Sequence, residues 1–231
     1  MYSRIFCAID TPDSEEAKVL ARALRGHVAG IKLGLEYFCA NGPSGYRKVA
    51  ELGIPLFLDL KLHDIPNTVA GAVSSLLPLK PAFMTIHTSG GGAMMKAAAD
   101  AAKKAGNDRP KLLGVTVLTS LNAQDLGAVG QETEPAKQVL RLAKLAAESG
   151  FDGVICAPTE VVALRQALGP DFILMVPGIR PAGADIGDQK RVLTPKEAVA
   201  AGASYLVIGR PITQAPDPLA MAKAINAQCE A

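Results

Sequence analysis

The stretch PLFLDLKLHDIPNTVAGA, residues 55–72, decides the fold, because it carries a strand, a charged strand end, a short loop and a helix start in that order. Pro55–Leu60 is an apolar run of strand length, broken only by Asp59. Side chains alternate along a strand with period two, so Asp59 and Lys61 are expected on one face. Asp64 follows three residues later, past the strand end. Ile65 precedes a proline and so favours extended backbone, while Pro66 suits the first turn of a helix. Two carboxylates bracketing one lysine would hold it protonated. On spacing alone the same trio also fits a structural Asp–Lys–Asp salt-bridge network at a rim.

Outward from this unit, the same strand-then-helix pattern runs along the whole chain. Strands are predicted at Ile5–Ile9, Gly30–Leu33, Pro55–Leu60, Phe83–His87, Leu112–Leu118, Gly153–Cys156, Phe172–Val176 and Tyr205–Ile208. Helical apolar spacing lies between them, as at Ser14–Leu24, Ala93–Lys104, Ala136–Glu148 and Pro195–Ala201. Ser14 before Glu15 and Glu16 reads as a helix start, and Gly106, Gly150 and Gly202 read as stops. This repetition predicts an α/β protein, a (β/α)8 TIM barrel forming a single domain over residues 1–231. An open doubly wound sheet is the competing architecture. It usually carries a glycine-rich turn after its first strand, and here Ile9 is followed by Asp10, Thr11, Pro12 and Asp13. No Pro/Ser/Gly linker divides the chain.

Polar residues gather where the predicted strands end: Asp10, Lys32, Asp59 with Lys61, His87, Thr119, Gly178 with Arg180, and Gly209 with Arg210. In a barrel these ends meet on the face where active sites sit. Charge at the ends of buried strands is costly unless it is used. A functional cluster is therefore expected there.

Composition narrows the class. Of 231 residues, 49% are hydrophobic, enough for a sizeable core, and the formal net charge is only +2. No basic stripe or aromatic-interleaved Lys/Arg run occurs, which argues against nucleic acid as a partner. Cys7, Cys39, Cys156 and Cys229 are far apart without a CxxC pair; the first three have apolar neighbours and read as small buried hydrophobes. No apolar stretch approaches the roughly 20 residues of a membrane span. The N-terminus enters a strand-like run without signal-peptide architecture, so a soluble cytoplasmic protein is expected.

The segment Pro177 to Arg191, PGIRPAGADIGDQKR, is long and lacks either period, as a lid, a binding loop or disorder usually does, and a solvated connection is the plainer alternative. His63 reads as a polar loop residue and His27 as a surface one, while His87 either faces the site or bonds to a barrel neighbour. Asp59, Asp64 and His87 are ligand types for Mg2+ or Zn2+, but Lys61 and Lys32 among them would repel a cation, so no metal is expected.

FLDLKLHDIPNTVAGA, together with Ala8-Ile9-Asp10, Ile31-Lys32-Leu33-Gly34, VTVLTS ending on Thr119 and Ser120, VPGIRP around Arg180, and VIGRPIT around Gly209 and Arg210, resembles the bacterial orotidine 5′-phosphate decarboxylase family. The pieces occur in family order from Asp10 to Arg210. Related sugar-phosphate barrels share Asp-x-Lys-x-x-Asp but usually lack the DIPNT extension.

The resemblance implies cofactor-free conversion of orotidine 5′-phosphate to uridine 5′-phosphate (UMP) and CO2, the last step of de novo pyrimidine biosynthesis. It implies that Lys61 stabilises charge at C6 and protonates it, that Asp59 lies near the departing carboxylate, and that Lys32 links Asp59 to the ribose hydroxyls, which Asp10 also contacts. It further implies that Thr119 meets the pyrimidine edge, and that Arg180, Gln189, Gly209 and Arg210 hold the phosphate. Asp64, Ile65 and Thr68 would reach the site of a second subunit, making a homodimer the functional unit. Two other readings compete: a Mg2+-dependent sugar-phosphate lyase or decarboxylase of the same barrel group, and a barrel that binds nucleotides without turnover. The lysine set between acids speaks against the last, since binding alone does not require it.

Overall fold

The computed structural model describes residues 3–181 and 193–230. Eight parallel strands close into a barrel in sequence order, β1 pairing with β8: β1 (Ile5–Ile9), β2 (Gly30–Gly34), β3 (Leu56–Leu62), β4 (Phe83–His87), β5 (Lys111–Val115), β6 (Gly153–Ile155), β7 (Ile173–Val176) and β8 (Tyr205–Ile208). The helices are α1 (Ser14–Leu24), α2 (Leu35–Ala50), α3 (Pro66–Leu76), α4 (Gly91–Lys103), α5 (Ala123–Ala128), α6 (Pro135–Glu148), α7 (Val161–Leu168), α8 (Pro195–Ala200), α9 (Arg210–Thr213) and α10 (Pro218–Glu230). The expected (β/α)8 barrel is the fold.

Strand parity sorts the side chains into two cores. Ile5, Cys7 and Ile9 of β1, with Leu56 and Leu58 of β3, point outward and pack under the helices. Phe6, Ala8 and Phe57 point inward, where with Phe83, Leu113, Met175 and Val207 they fill the barrel. Phe6 packs edge-on against Phe57, Phe83 and Tyr205, its ring centroid 6.1, 5.2 and 5.4 Å from theirs. Gly30 makes room for this ring: a Cβ there would lie 2.3 Å from Phe6 Cε1 and 2.4 Å from the Pro55 carbonyl oxygen.

Local signals explain the element ends, with four corrections. The α1 cap is Asp13, one residue before the expected Ser14, and it accepts the Glu15 and Glu16 N–H groups. The fifth strand leaves the ladder at Val115 rather than Leu118, and the Thr116 hydroxyl there donates to the Ile155 carbonyl. Cys39 is exposed, not buried, because helix α2 turns Tyr37 into the core and Cys39 away from it; Cys7 and Cys156 are buried. The third strand runs on to Leu62, and its ladder with β4 shifts register between Leu58 and Leu62. Within that bulge Lys61 adopts φ 50°, a left-handed conformation uncommon for a side chain of its size.

Candidate active site

At the C-terminal end of the barrel, the inward positions that follow the aromatic layer turn polar. Asp59 lies two residues after Phe57 on β3, and Thr85 two residues after Phe83 on β4. Lys32 projects from β2, and Asp10 stands just past β1. These groups form one chain of alternating charge. Lys32 Nζ lies 3.2 Å from Asp10 Oδ1 and 3.4 Å from Asp59 Oδ2, and Lys61 Nζ lies 2.9 Å from the same Asp59 oxygen. The other carboxylate oxygen, Oδ1, accepts the Thr85 hydroxyl at 2.8 Å, and that hydroxyl in turn accepts the Lys61 backbone N–H at 2.9 Å.

Burial sets the electrostatics. Withdrawal from water acts to raise the Asp59 carboxyl, but the Lys32 and Lys61 charges and the hydrogen bonds from Lys61 and Thr85 outweigh it and hold the group below the ordinary carboxylate range. The same burial acts to lower Lys32, and Asp59 and Asp10 reverse that, leaving its ammonium above the ordinary lysine value. Lys61 is the most accessible of the inner three charges, with 30% of its side chain exposed against 11% for Lys32 and 10% for Asp59. Its ammonium is the one most open to a ligand, while Lys32 and Asp59 also line the same space.

The Lys61 ammonium faces a cavity of about 190 Å3 whose apolar lining includes Val115, Val117, Ile155, Pro177 and Val207, with Thr119 also among its lining residues. A fixed anion, a proton-bearing ammonium and an apolar wall thus share one small space. Such a site can favour negative charge developing beside the ammonium and deliver a proton to it.

The remaining predicted residues fall in three places. Asp64, Ile65 and Thr68 are exposed, in the loop and at the start of α3. The expectation that Asp64 brackets Lys61 is corrected: its carboxylate accepts the Ile65 N–H at 2.7 Å, and among the described residues no ion pair joins it to Lys61. The extended turn before Pro66 carries it outward. Gly209 caps α9, Arg210 opens it, and Arg180 donates its backbone N–H to the Leu193 carbonyl beside an Ile179–Leu193 bridge. That bridge joins the two ends of the expected lid loop, while Gln189 and most of the loop lie outside the described residues. His87 ends β4 with its ring 5.4 Å from that of His63; burial, His63 and Lys61 together lower its pKa against the opposing pull of Asp59. Among the described residues no three His, Cys, Asp or Glu side chains gather as a metal-holding group.

Residues 3–225 match the family model described as "Orotidine 5'-phosphate decarboxylase / HUMPS family". The chain belongs to this family. It is 53% identical over 227 residues to an orotidine 5′-phosphate decarboxylase of Sphingopyxis alaskensis, covering 98% of this chain and 99% of that one. It is 54% identical to one of Paramagnetospirillum magneticum, covering 99% of both chains. Among solved structures, an orotidine 5′-phosphate decarboxylase from Lactobacillus acidophilus superposes with a TM-score of 0.87 at 40% identity, covering 100% of both chains.

Within this decarboxylase-family barrel, Thr85 is the site neighbour that carries no motif in the sequence. One signal was available. In FMTIH it is the only polar residue before His87, and its parity places it on the inner face with Phe83 and His87. A lone threonine suits a strand, so nothing in residue type marked it out.

Proposed function

We propose that this barrel decarboxylates orotidine 5′-phosphate to UMP and CO2 without a cofactor, as a cytoplasmic enzyme of pyrimidine biosynthesis built as one domain over residues 1–231. The observation that carries the reading is the 2.9 Å Lys61–Asp59 pair facing an apolar-walled cavity, in a chain 53% identical along its length to a protein named for that activity.

In this reading the bond between C6 and the carboxylate breaks and its electron pair stays on C6. Lys61 stabilises that charge and transfers a proton from Nζ to C6, the neutral CO2 leaving on the apolar side. Asp59, fixed by Lys32 and Thr85, anchors the Lys61 ammonium and stands beside the departing carboxylate. Lys32 and Asp10 meet the ribose hydroxyls and Thr119 the pyrimidine edge. Gly209 and Arg210 take the phosphate, at the position after strands seven and eight where barrels commonly bind one, and Arg180 and Gln189 close over it.

The exposed trio Asp64, Ile65 and Thr68 serves a second subunit's site in a homodimer. Ile65 supports this, being an apolar side chain left 67% exposed at the start of α3.

The test is to treat the purified protein with EDTA, add orotidine 5′-phosphate and follow the pyrimidine absorbance. Turnover is expected. Its absence overturns the proposal, and turnover of a sugar phosphate that stops on chelation would favour the Mg2+-dependent alternative. Mixing Asp64→Asn with Lys61→Ala should restore activity, since subunit exchange gives one intact site per hybrid; no recovery would refute the shared site.

A further inference from the structure

The bulge in β3 creates a demand for hydrogen bonds that the barrel ladder does not meet. Between Leu58, paired with Met84, and Leu62, paired with Ile86, β3 advances four residues while β4 advances two. The Lys61 N–H inside this bulge needs another acceptor, because a buried unpaired amide is costly. Thr85 supplies it. The Thr85 hydroxyl has one proton, and the Asp59 carboxylate, held ionised, can only accept. The proton therefore goes to Asp59 Oδ1, and the oxygen lone pair is left for the Lys61 amide, at 2.8 and 2.9 Å. The neighbouring partners fix the hydroxyl's direction completely.

We infer that Thr85 is a positioning residue for the Asp59–Lys61 pair, its one hydroxyl setting both the carboxylate plane and the left-handed backbone of the proton donor. This rests on the decarboxylase reading above. Thr85 is 1% exposed and does not line the cavity, so it acts through Asp59 and Lys61 rather than on a substrate. Without the hydroxyl, Lys61 loses the bond that holds it at φ 50°, and the Asp59 carboxylate is held through Oδ2 alone, so its plane is less firmly set. The reacting atoms drift while the ribose and phosphate contacts stay, so the loss falls on the chemical step rather than on binding.

The experiment compares wild type, Thr85→Val and Thr85→Ser by single-turnover rate, KM and thermal unfolding. Thr85→Val keeps the shape and removes the hydroxyl; its rate should fall about 10- to 100-fold with KM within about threefold. Thr85→Ser keeps the hydroxyl and removes a methyl group, so it should retain the rate within about threefold even where its melting temperature drops. The acidic limb of the Thr85→Val rate profile should also move to higher pH, because Asp59 has lost a bond that favours its charged form. A Thr85→Val protein with wild-type rate overturns the inference, as does a Thr85→Ser protein that falls as far as the valine variant. If the valine protein does not fold, Thr85→Ala against Thr85→Ser makes the same comparison. Absence of turnover in the wild type strikes the proposed function instead, which keeps the two failures distinct.

Discussion

The two ends of this barrel are built on the same strands and made for different tasks. One residue separates Phe57 from Asp59 on β3, and one separates Phe83 from Thr85 on β4. One step of the pleat thus changes an aromatic plug into a charge network. At the N-terminal end, Phe6, Phe57, Phe83 and Tyr205 need only volume and edge-to-face contact. At the C-terminal end, every group depends on a named partner: Lys32 on Asp10 and Asp59, Asp59 on Lys61 and Thr85. The plug also excludes water from beneath the charges, which strengthens each of their interactions. The lesson is a division of labour: stability should follow the aromatic end and chemistry the charged end.

Lys61→Ala tests the chemical side, with the largest effect expected. Removing the proton donor should cut the single-turnover rate at least about 10^3-fold. Asp59 keeps Lys32 and Thr85, so urea unfolding should show a stability loss of only about 1–2 kcal/mol. A variant that stays within tenfold of wild type would remove Lys61 from the mechanism. Phe6→Ala tests the other end. It opens a cavity among Phe57, Phe83 and Tyr205 and should destabilise by about 3–5 kcal/mol. Its rate at 25 °C should stay near that of wild type, and a 100-fold loss would show that the two ends are not separable.

The two ends also differ in how far the sequence disclosed them. All eight strands and the barrel were legible, because apolar strand runs alternate with amphipathic helices under short-range rules. The Asp10, Lys32, Asp59 and Lys61 cluster was legible because charge at a buried strand end is rare. Thr85 was not, since its type is ordinary in a strand and only the bulge gives it two partners. The bulge itself was hidden: a left-handed lysine has no local signature, and it depends on β4 lying alongside. The bracketing of Lys61 by Asp64 within one chain failed for a related reason. Three residues of spacing suggested contact with Lys61, but the turn before Pro66 sends it outward.

The smallest effect concerns a charge at the stable end, and it asks whether that end is indifferent to chemistry while still sensitive to pH. Asp152, just before β6, accepts two Arg109 guanidinium bonds at 2.8 Å each and the Leu112 N–H at 2.9 Å. Burial acts to raise its carboxyl, but these bonds and the Arg109 and Lys111 charges outweigh it and hold the group below its ordinary value of 3.8. A carboxyl depressed in the folded state stabilises the fold above its unfolded pKa, and that contribution fades as pH falls through the folded value. Asp152→Asn should therefore cost about 2 kcal/mol at pH 7, since an amide resembles the protonated acid and turns donors toward Arg109. Asp59 behaves alike in both proteins and cancels in the difference. Urea unfolding at pH 7, 5 and 3 should show the gap between wild type and variant holding to pH 5 and narrowing at pH 3, with the decarboxylation rate unchanged. A gap that stays constant to pH 3 would mean that shape rather than charge makes Asp152 stabilising, and the N-terminal end would then be a packing device throughout.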